Sequence, residues 1–187
     1  MRTLTDEQLI RESANGNSRA MDMLVHRYHA KVLDFAFRHL NDREAAADVA
    51  QAAFVQAFQA SSRFANRSTF KTWLYSIALN LIRDDARRKG RQRESLQSQM
   101  QDAMDWEQAE LDPGIELVSF SDLWPAVAKL PEDQRTSIIL RFQQGLTYNE
   151  IGEIMKAPEG TVKSWVHFAL KALKRVLDPE LCGLFLL

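Results

Sequence analysis

The stretch 145–177, GLTYNEIGEIMKAPEGTVKSWVHFALKALKRVL, decides the fold, because it reads as two short helices meeting across a tight turn. Thr147 and Glu150 form a capping box that opens the first helix: the threonine oxygen takes the amide three residues on, and the glutamate reaches back to the threonine amide. Leu146 and Ile151 sit at staple positions around it. Ile151, Ile154 and Met155 give this helix one apolar side. Lys156, Ala157 and Pro158 stop it and start the next, proline being suited to a first helical turn. Gly160 is expected to allow close helix approach. From Thr161 onward, Val162, Val166, Ala169, Leu173 and Val176 recur at steps of three and four, while Lys163, His167, Lys171 and Lys174 fall on another face. One face packs and the other is basic. That is the division of labour of a helix-turn-helix, whose second helix lies in the DNA major groove while the first braces it. Periodicity alone also admits an ordinary amphipathic hairpin with a solvated lysine face.

Upstream of this stretch, Ser121 is expected to cap a helix through Leu130 with Leu123, Trp124 and Val127 inward. Residues 131–144 form the next, with Ile138, Ile139 and Phe142 buried, and Gly145 ends it. Downstream, Asp178-Pro179 stops the last helix before an apolar tail, 181–187, which is expected to fold back onto this C-terminal unit or to dock a partner. Further upstream, residues 95–119 are rich in Gln, Asp and Glu, carry Asp112-Pro113-Gly114 and show little apolar periodicity, the composition of a flexible linker.

The N-terminal half reads as helices joined by short breaks and one loop. Thr5 and Gln8 make a second capping box, Asn15-Gly16-Asn17 breaks the short helix that follows, and Met21, Leu24, Val25, Tyr28, Val32, Phe35 and Ala36 keep helical spacing to Leu40. Asn41-Asp42 marks a turn and a new cap. In the third helix, 42–60, Val49, Ala53, Phe54, Ala57 and Phe58 are expected inward, with Asp48, Gln51, Gln56 and Gln59 outward. A polar, basic loop, 61–69, then holds Phe64 among Arg63, Asn66 and Arg67. An aromatic there either anchors the loop to the core or offers a pocket to a base lifted from a duplex. The fourth helix, from Phe70 to about Arg88, has an apolar stripe (Phe70, Trp73, Leu74, Ile77, Ala78, Leu81, Ile82). A line through Thr69, Trp73, Ser76, Asn80, Arg83 and Arg87 places Trp73 between core and a basic edge. Arg87, Arg88, Lys89, Arg91 and Arg93 close the helix as a run suited to phosphates.

The net charge of −1 hides three blocks: +6 over residues 1–93, −8 over 94–128 with no base, and +1 over 129–187. Two heads are thus separated by an acidic connector. The single cysteine, Cys182, excludes an internal disulfide and a cysteine-rich zinc site, and His26, His29 and His39 lack the partner pattern of a metal centre. The first residues lack a signal-peptide apolar core, and no run approaches the roughly 20 apolar residues needed to span a bilayer. A cytoplasmic protein without membrane insertion is expected. No phosphate-cradling glycine loop and no nucleophile with a base is found, so neither a catalytic residue, a metal nor a cofactor is expected. Two rival readings remain from the residues alone: a DNA-binding regulator using the helix-turn-helix by itself, and a nucleic-acid enzyme with Asp48, Asp84 and Asp85 around a metal.

Gly-Leu-Thr-Tyr-Asn-Glu-Ile at 145–151 and Pro-Glu-Gly-Thr-Val-Lys-Ser at 158–164, with Leu130-Pro131-Glu132 and Gln134-Arg135 upstream, resemble the promoter-reading C-terminal domain of bacterial RNA polymerase sigma factors. Phe70-Lys71-Thr72-Trp73-Leu74, Ile77-Ala78-Leu79-Asn80, Asp84 and Arg87-Arg88 resemble the sigma helix that melts and reads the minus-10 element. Asp42, Ala47-Asp48-Val49, Gln51 and Phe54 look like the segment that grips core polymerase. The resemblance is to the extracytoplasmic-function group of the sigma-70 family, although Trp165, Phe168 and Leu170 stand where such members often carry arginine.

It implies an all-α chain of two small helical domains: an N-terminal domain (1–94), the acidic linker (95–119), a C-terminal helix-turn-helix domain (120–178) and the apolar tail (179–187). It also implies that the chain binds core RNA polymerase, directs it to promoter DNA and helps melt it, with an anti-sigma factor as a further partner. Asp48, Gln51 and Phe54 are then the polymerase contacts. Arg63, Phe64, Asn66, Arg67, Trp73, Asn80, Arg83, Arg87 and Arg88 serve the minus-10 element. Thr161, Lys163, Ser164, His167, Lys171 and Lys174 serve the minus-35 element.

Overall fold

A computed structural model of the chain describes residues 4–64, 67–97 and 123–176. Among them there are eight α-helices and no strand. The first four are α1 (Asp6–Ala14), α2 (Ser18–Leu40), α3 (Arg43–Gln59) and α4 (Phe70–Gln97). The rest are α5 (Leu123–Ala128), α6 (Glu132–Ile138), α7 (Tyr148–Met155) and α8 (Glu159–Val176). Residues 98–119 of the acidic linker, Ser121, Asn66, the side chains of Arg91 and Arg93, and the apolar tail lie outside the described residues, while linker positions 95–97 form the end of α4.

The local signals act as their chemistry requires. Both capping boxes form, Thr5 with Gln8 and Thr147 with Glu150. Asp42 caps α3 by accepting from the amides of Glu44 and Ala45 at 3.0 and 3.2 Å, and these bonds hold its carboxyl below the usual aspartate range. Asn41 (φ 49°) and Lys156 (φ 57°) take the left-handed conformation that ends α2 and α7, and Gly145 (φ 65°) turns the chain into α7.

In the N-terminal bundle, α2, α3 and α4 wrap Leu24, Val32, Phe35, Phe70, Leu74 and Tyr75. Ala46, Ala50, Ala53 and Ala57 are fully buried at helical spacing, so α3 approaches its neighbours on a ridge of small side chains. That ridge turns Phe58 outward, 49% exposed, where the apolar pattern predicts it inward. The fourth helix also runs nine residues past the expected Arg88, because residues 91–97 are mostly good helix formers without proline.

The C-terminal bundle packs α6 and α7 against α8 through Ile138, Ile139, Leu146, Ile151, Val162, Val166 and Leu173. Between α6 and α7, Ile139–Gln143 forms a π-helical turn, a wide turn that brings Gln143 and Gln144 to the N-terminal bundle. Phe142 is 36% exposed, not buried as the periodicity predicts, because the widened turn rotates it from the interior. Pro158 precedes α8, which starts at Glu159. The close approach expected at Gly160 is found at Gly152: a Cβ there would lie 2.6 Å from the backbone oxygen of Ala157, whereas one at Gly160 meets open space. Gly152→Ala should therefore push the inter-helix turn away and cost about 1–3 kcal/mol, read as a lower urea midpoint at unchanged slope.

The two bundles dock. Arg38 on α2 lies 3.3 Å over the Trp124 ring, Asp34 accepts from the Gln143 amide, and His39 Nε2 meets Thr136 Oγ1 at 3.0 Å. On α4, Lys71 donates to the Gln144 carbonyl, the Tyr75 hydroxyl donates to Gln144 Oε1 at 2.5 Å, and Arg83 pairs with Glu132 (2.9 Å) and Asp133 (3.4 Å).

Candidate nucleic-acid interface

The second helix of the helix-turn-helix divides cleanly. Val162, Val166, Ala169 and Leu173 are buried, while Lys163, Ser164, His167, Phe168, Lys171 and Lys174 are exposed, and Thr161 is half-buried at the start. Ser164 donates to the Gly160 carbonyl at 3.0 Å, and Lys163 pairs with Glu159 at 2.7 Å, which raises the lysine pKa. Tyr148 on α7 underlies this edge, with the Arg141 guanidinium 4.7 Å and the Lys163 ammonium 5.8 Å from its ring centre.

Phe168 is absent from the expected set. It is 53% exposed, with the His167 ring edge-on at 5.7 Å, and it shares a face with Ser164 and Lys171. A large apolar side chain turned to solvent between cations was the available signal. Helical periodicity obscured it, because Phe168 breaks the inward pattern instead of extending it.

In the N-terminal bundle, Phe64 is half-buried, its ring 5.1 Å from Trp73 and 6.5 Å from Phe70. Phe70 in turn meets Tyr28 edge-on at 5.6 Å and Trp73 at 6.2 Å. The loop aromatic is thus anchored, and Trp73 stands between this cluster and the polar side of α4. Asn80 is exposed one helical line away, as are Arg63 and Arg67 in the loop. Arg87 and Arg88 also reach solvent, although they pair with Asp84 and Asp85 at 3.3 and 2.7 Å. Arg83 is instead held by the C-terminal bundle.

Between α3 and α4 lies a groove of about 570 Å³ that Asp42, Asp48, Asp84, Asp85, Arg88 and Lys89 help to line. Asp48 and Gln51 face solvent. Phe54 does not: it is 6% exposed and stacks on His29, so it supports the face from beneath. The exposed apolar groups beside Gln51 are Val55 and Phe58, four and seven residues further on. Asp85 is committed to Arg88 and to Lys89 at 3.0 Å, and Asp84 to Arg87, so these carboxylates are neutralised by neighbours. Among the described residues no cluster of His, Cys, Asp and Glu is arranged to hold a metal, and no helix is long and apolar enough to cross a membrane.

Residues 24–92 match sigma-70 region 2 and residues 122–173 match sigma-70 region 4. Among curated relatives, the RNA polymerase sigma-H factor of Pseudomonas aeruginosa is 35% identical over 94% of this chain and 95% of its own length. The ECF RNA polymerase sigma-E factor of Haemophilus influenzae is 33% identical, over 94% of this chain and 97% of its own. The same fold occurs in the sigma factor RpoE of Bartonella quintana, solved with the anti-sigma factor NepR (TM-score 0.67, 23% identity, 83% of this chain and 94% of that one). It recurs in CnrH, solved with the cytosolic domain of CnrY (TM-score 0.65, 24% identity, 90% and 94%). The chain belongs to the sigma-70 family of RNA polymerase sigma factors. Within it, this is a factor of the extracytoplasmic-function group, which binds core polymerase and directs it to promoters to start transcription.

Proposed function

We propose a division of that work among named residues. Asp48 and Gln51, joined by Val55 and Phe58 and backed by Phe54, form the polymerase-facing side of α3. Phe64, Trp73 and Asn80, with Arg63, Asn66, Arg67, Arg83, Arg87 and Arg88 on the phosphates, open and read the minus-10 element. On α8, Thr161, Lys163, Ser164, His167 and Phe168 face the base edges of the minus-35 element, and Lys171 and Lys174 its backbone. Residues 1–94 and 120–178 act as the two DNA-facing domains, joined by the acidic linker. The work is done in the cytoplasm without a reaction catalysed by the chain. An anti-sigma protein holds it in reserve, as the partners of the two structural neighbours suggest.

The observation that carries this reading is the exposed face of α8: a packed side, a brace in α7, and cations flanking an outward aromatic. Phe168 in the major groove meets a thymine methyl, where the commoner arginine takes guanine.

Run-off transcription with core polymerase on a promoter pool tests it. Phe168→Ala should change which promoters are used, at about 1–3 kcal/mol for the base pair concerned, while Lys174→Ala should weaken all promoters alike and lower the salt slope by about 1. Phe64→Ala should leave polymerase binding intact and impair open complexes. Equal losses on every promoter for Phe168→Ala and Lys174→Ala would remove the distinction drawn on α8.

A further inference from the structure

The first turn of α1 holds Phe70 twice, once by its backbone and once by its ring. Phe70 begins α4, and the first amides of a helix have no partner inside it. Thr69 takes one of these amides, its hydroxyl oxygen accepting from Thr72 at 3.1 Å. Glu7 takes another: its Oε1 accepts from the Phe70 amide at 3.3 Å, across 63 positions of sequence. A carboxylate also suits the positive end of a helix. The preceding residue, Asp6, accepts from the Tyr28 hydroxyl and pairs with Arg27 at 2.5 Å, and the Tyr28 ring meets Phe70 edge-on at 5.6 Å. Leu9 and Ile10 are fully buried one turn further on, so α1 is seated firmly where it touches α2, α4 and the short turn Ser61–Arg63.

On Phe70 rest the two other rings of the loop and helix. Phe64 lies 6.5 Å from Phe70 and 5.1 Å from Trp73, which is itself 6.2 Å from Phe70. Where the first turn of α4 stands therefore decides where Phe64 and Trp73 stand.

We propose, on the reading of Phe64 and Trp73 as the pair that opens the minus-10 element, that Glu7, seated by the bonds of Asp6, is a positioning residue for strand opening. It acts through the Phe70 amide and not by touching DNA. Without Glu7 that part-buried amide either goes unsatisfied or is reached by water, and the turn that carries Phe70 shifts to admit it. A pocket for a base works only while its walls hold to within about half an ångström, so a small shift of this turn is felt in opening before it is felt in polymerase binding on α3.

The test compares Glu7→Ala, Glu7→Gln, Ala36→Gly and Phe64→Ala in the full chain, each bound to core polymerase on one promoter, at a temperature where all are folded. Permanganate reads unpaired thymines with time, and anisotropy of the labelled chain reads polymerase affinity. Glu7→Ala should slow the appearance of unpaired thymines about two- to tenfold, the worth of one hydrogen bond, at unchanged polymerase affinity. Glu7→Gln keeps an oxygen for the Phe70 amide and should restore the parent rate. Ala36 is fully buried on α2, two turns and about 12 Å beyond Tyr28, so Ala36→Gly should lower the urea midpoint of the same bundle and still open the promoter as the parent does. The positioning role is refuted if Glu7→Ala opens at the parent rate while Phe64→Ala is slow, if Glu7→Gln is as slow as Glu7→Ala, or if Ala36→Gly is slowed as much. A Phe64→Ala chain that opens at the parent rate refutes instead the role given to the aromatic pair.

Discussion

Phe70→Ala is expected to lower the stability of the chain by about 3–5 kcal/mol, the range for truncating a buried phenylalanine. Phe70 is fully buried at the start of α4, and its ring touches Tyr28 on α2, Trp73 one turn on, and Phe64 from the preceding loop. Its amide also donates to the Glu7 carboxylate at 3.3 Å, tying α4 to α1. No neighbour can fill the space without abandoning another contact, so the cavity persists and its lining loses dispersion contacts outright. Two consequences separate the change from a generic core defect. Urea unfolding should show the lower midpoint, and at temperatures where the variant is still folded it should open promoters less well, because Phe64 and Trp73 lose the ring that positions them. Full open-complex formation by the folded variant would show that these aromatics do not depend on Phe70.

Acidification is expected to weaken the docking of the two bundles by at most about 3 kcal/mol by pH 4, of which at most about 2 is lost by pH 5, because part of the burial of His39 comes from its own bundle. The group responsible is His39. Its Nδ1 meets the Phe35 carbonyl at 2.8 Å and must donate there, so in the neutral ring Nε2 accepts from the Thr136 hydroxyl. Burial, helped by the cations of Arg135 and Arg83 against the opposing Glu132 and the Phe35 carbonyl, pushes its pKa down from 6.5 to about 4.

The direction of the effect follows from proton uptake. Below pH 6.5 the separated form takes up a proton that the docked form refuses, so docking loses stability as pH falls from 6.5 to 4 and is unaffected above that window. Scattering or urea midpoints between pH 7 and 5 read it above the range where exposed carboxylates titrate. His39→Asn should flatten the profile. An unchanged slope in that variant would assign the pH dependence to other groups.

Much of the molecule is legible in the sequence because its signals are local. Thr5 with Gln8 and Thr147 with Glu150 act over a single helical turn, Asn41 and Gly145 adopt the backbone that only a few residues tolerate, and the inward line Val162, Val166, Ala169 and Leu173 needs only helical period to be found. These determine the helices, their ends and the basic outer face of α8, and with them the family. What the sequence left to the tertiary structure depends on contacts between distant residues. Which of two apolar faces α3 turns inward was decided by the small-residue ridge of its alanines, which admits close neighbours and sends Val55 and Phe58 outward. The close approach at Gly152 was set by where the chain returns after Lys156. The docking of Arg83 on Glu132 and Asp133 joins residues about fifty positions apart, and no periodicity links them; only packing α7 against α4 brings those charges together.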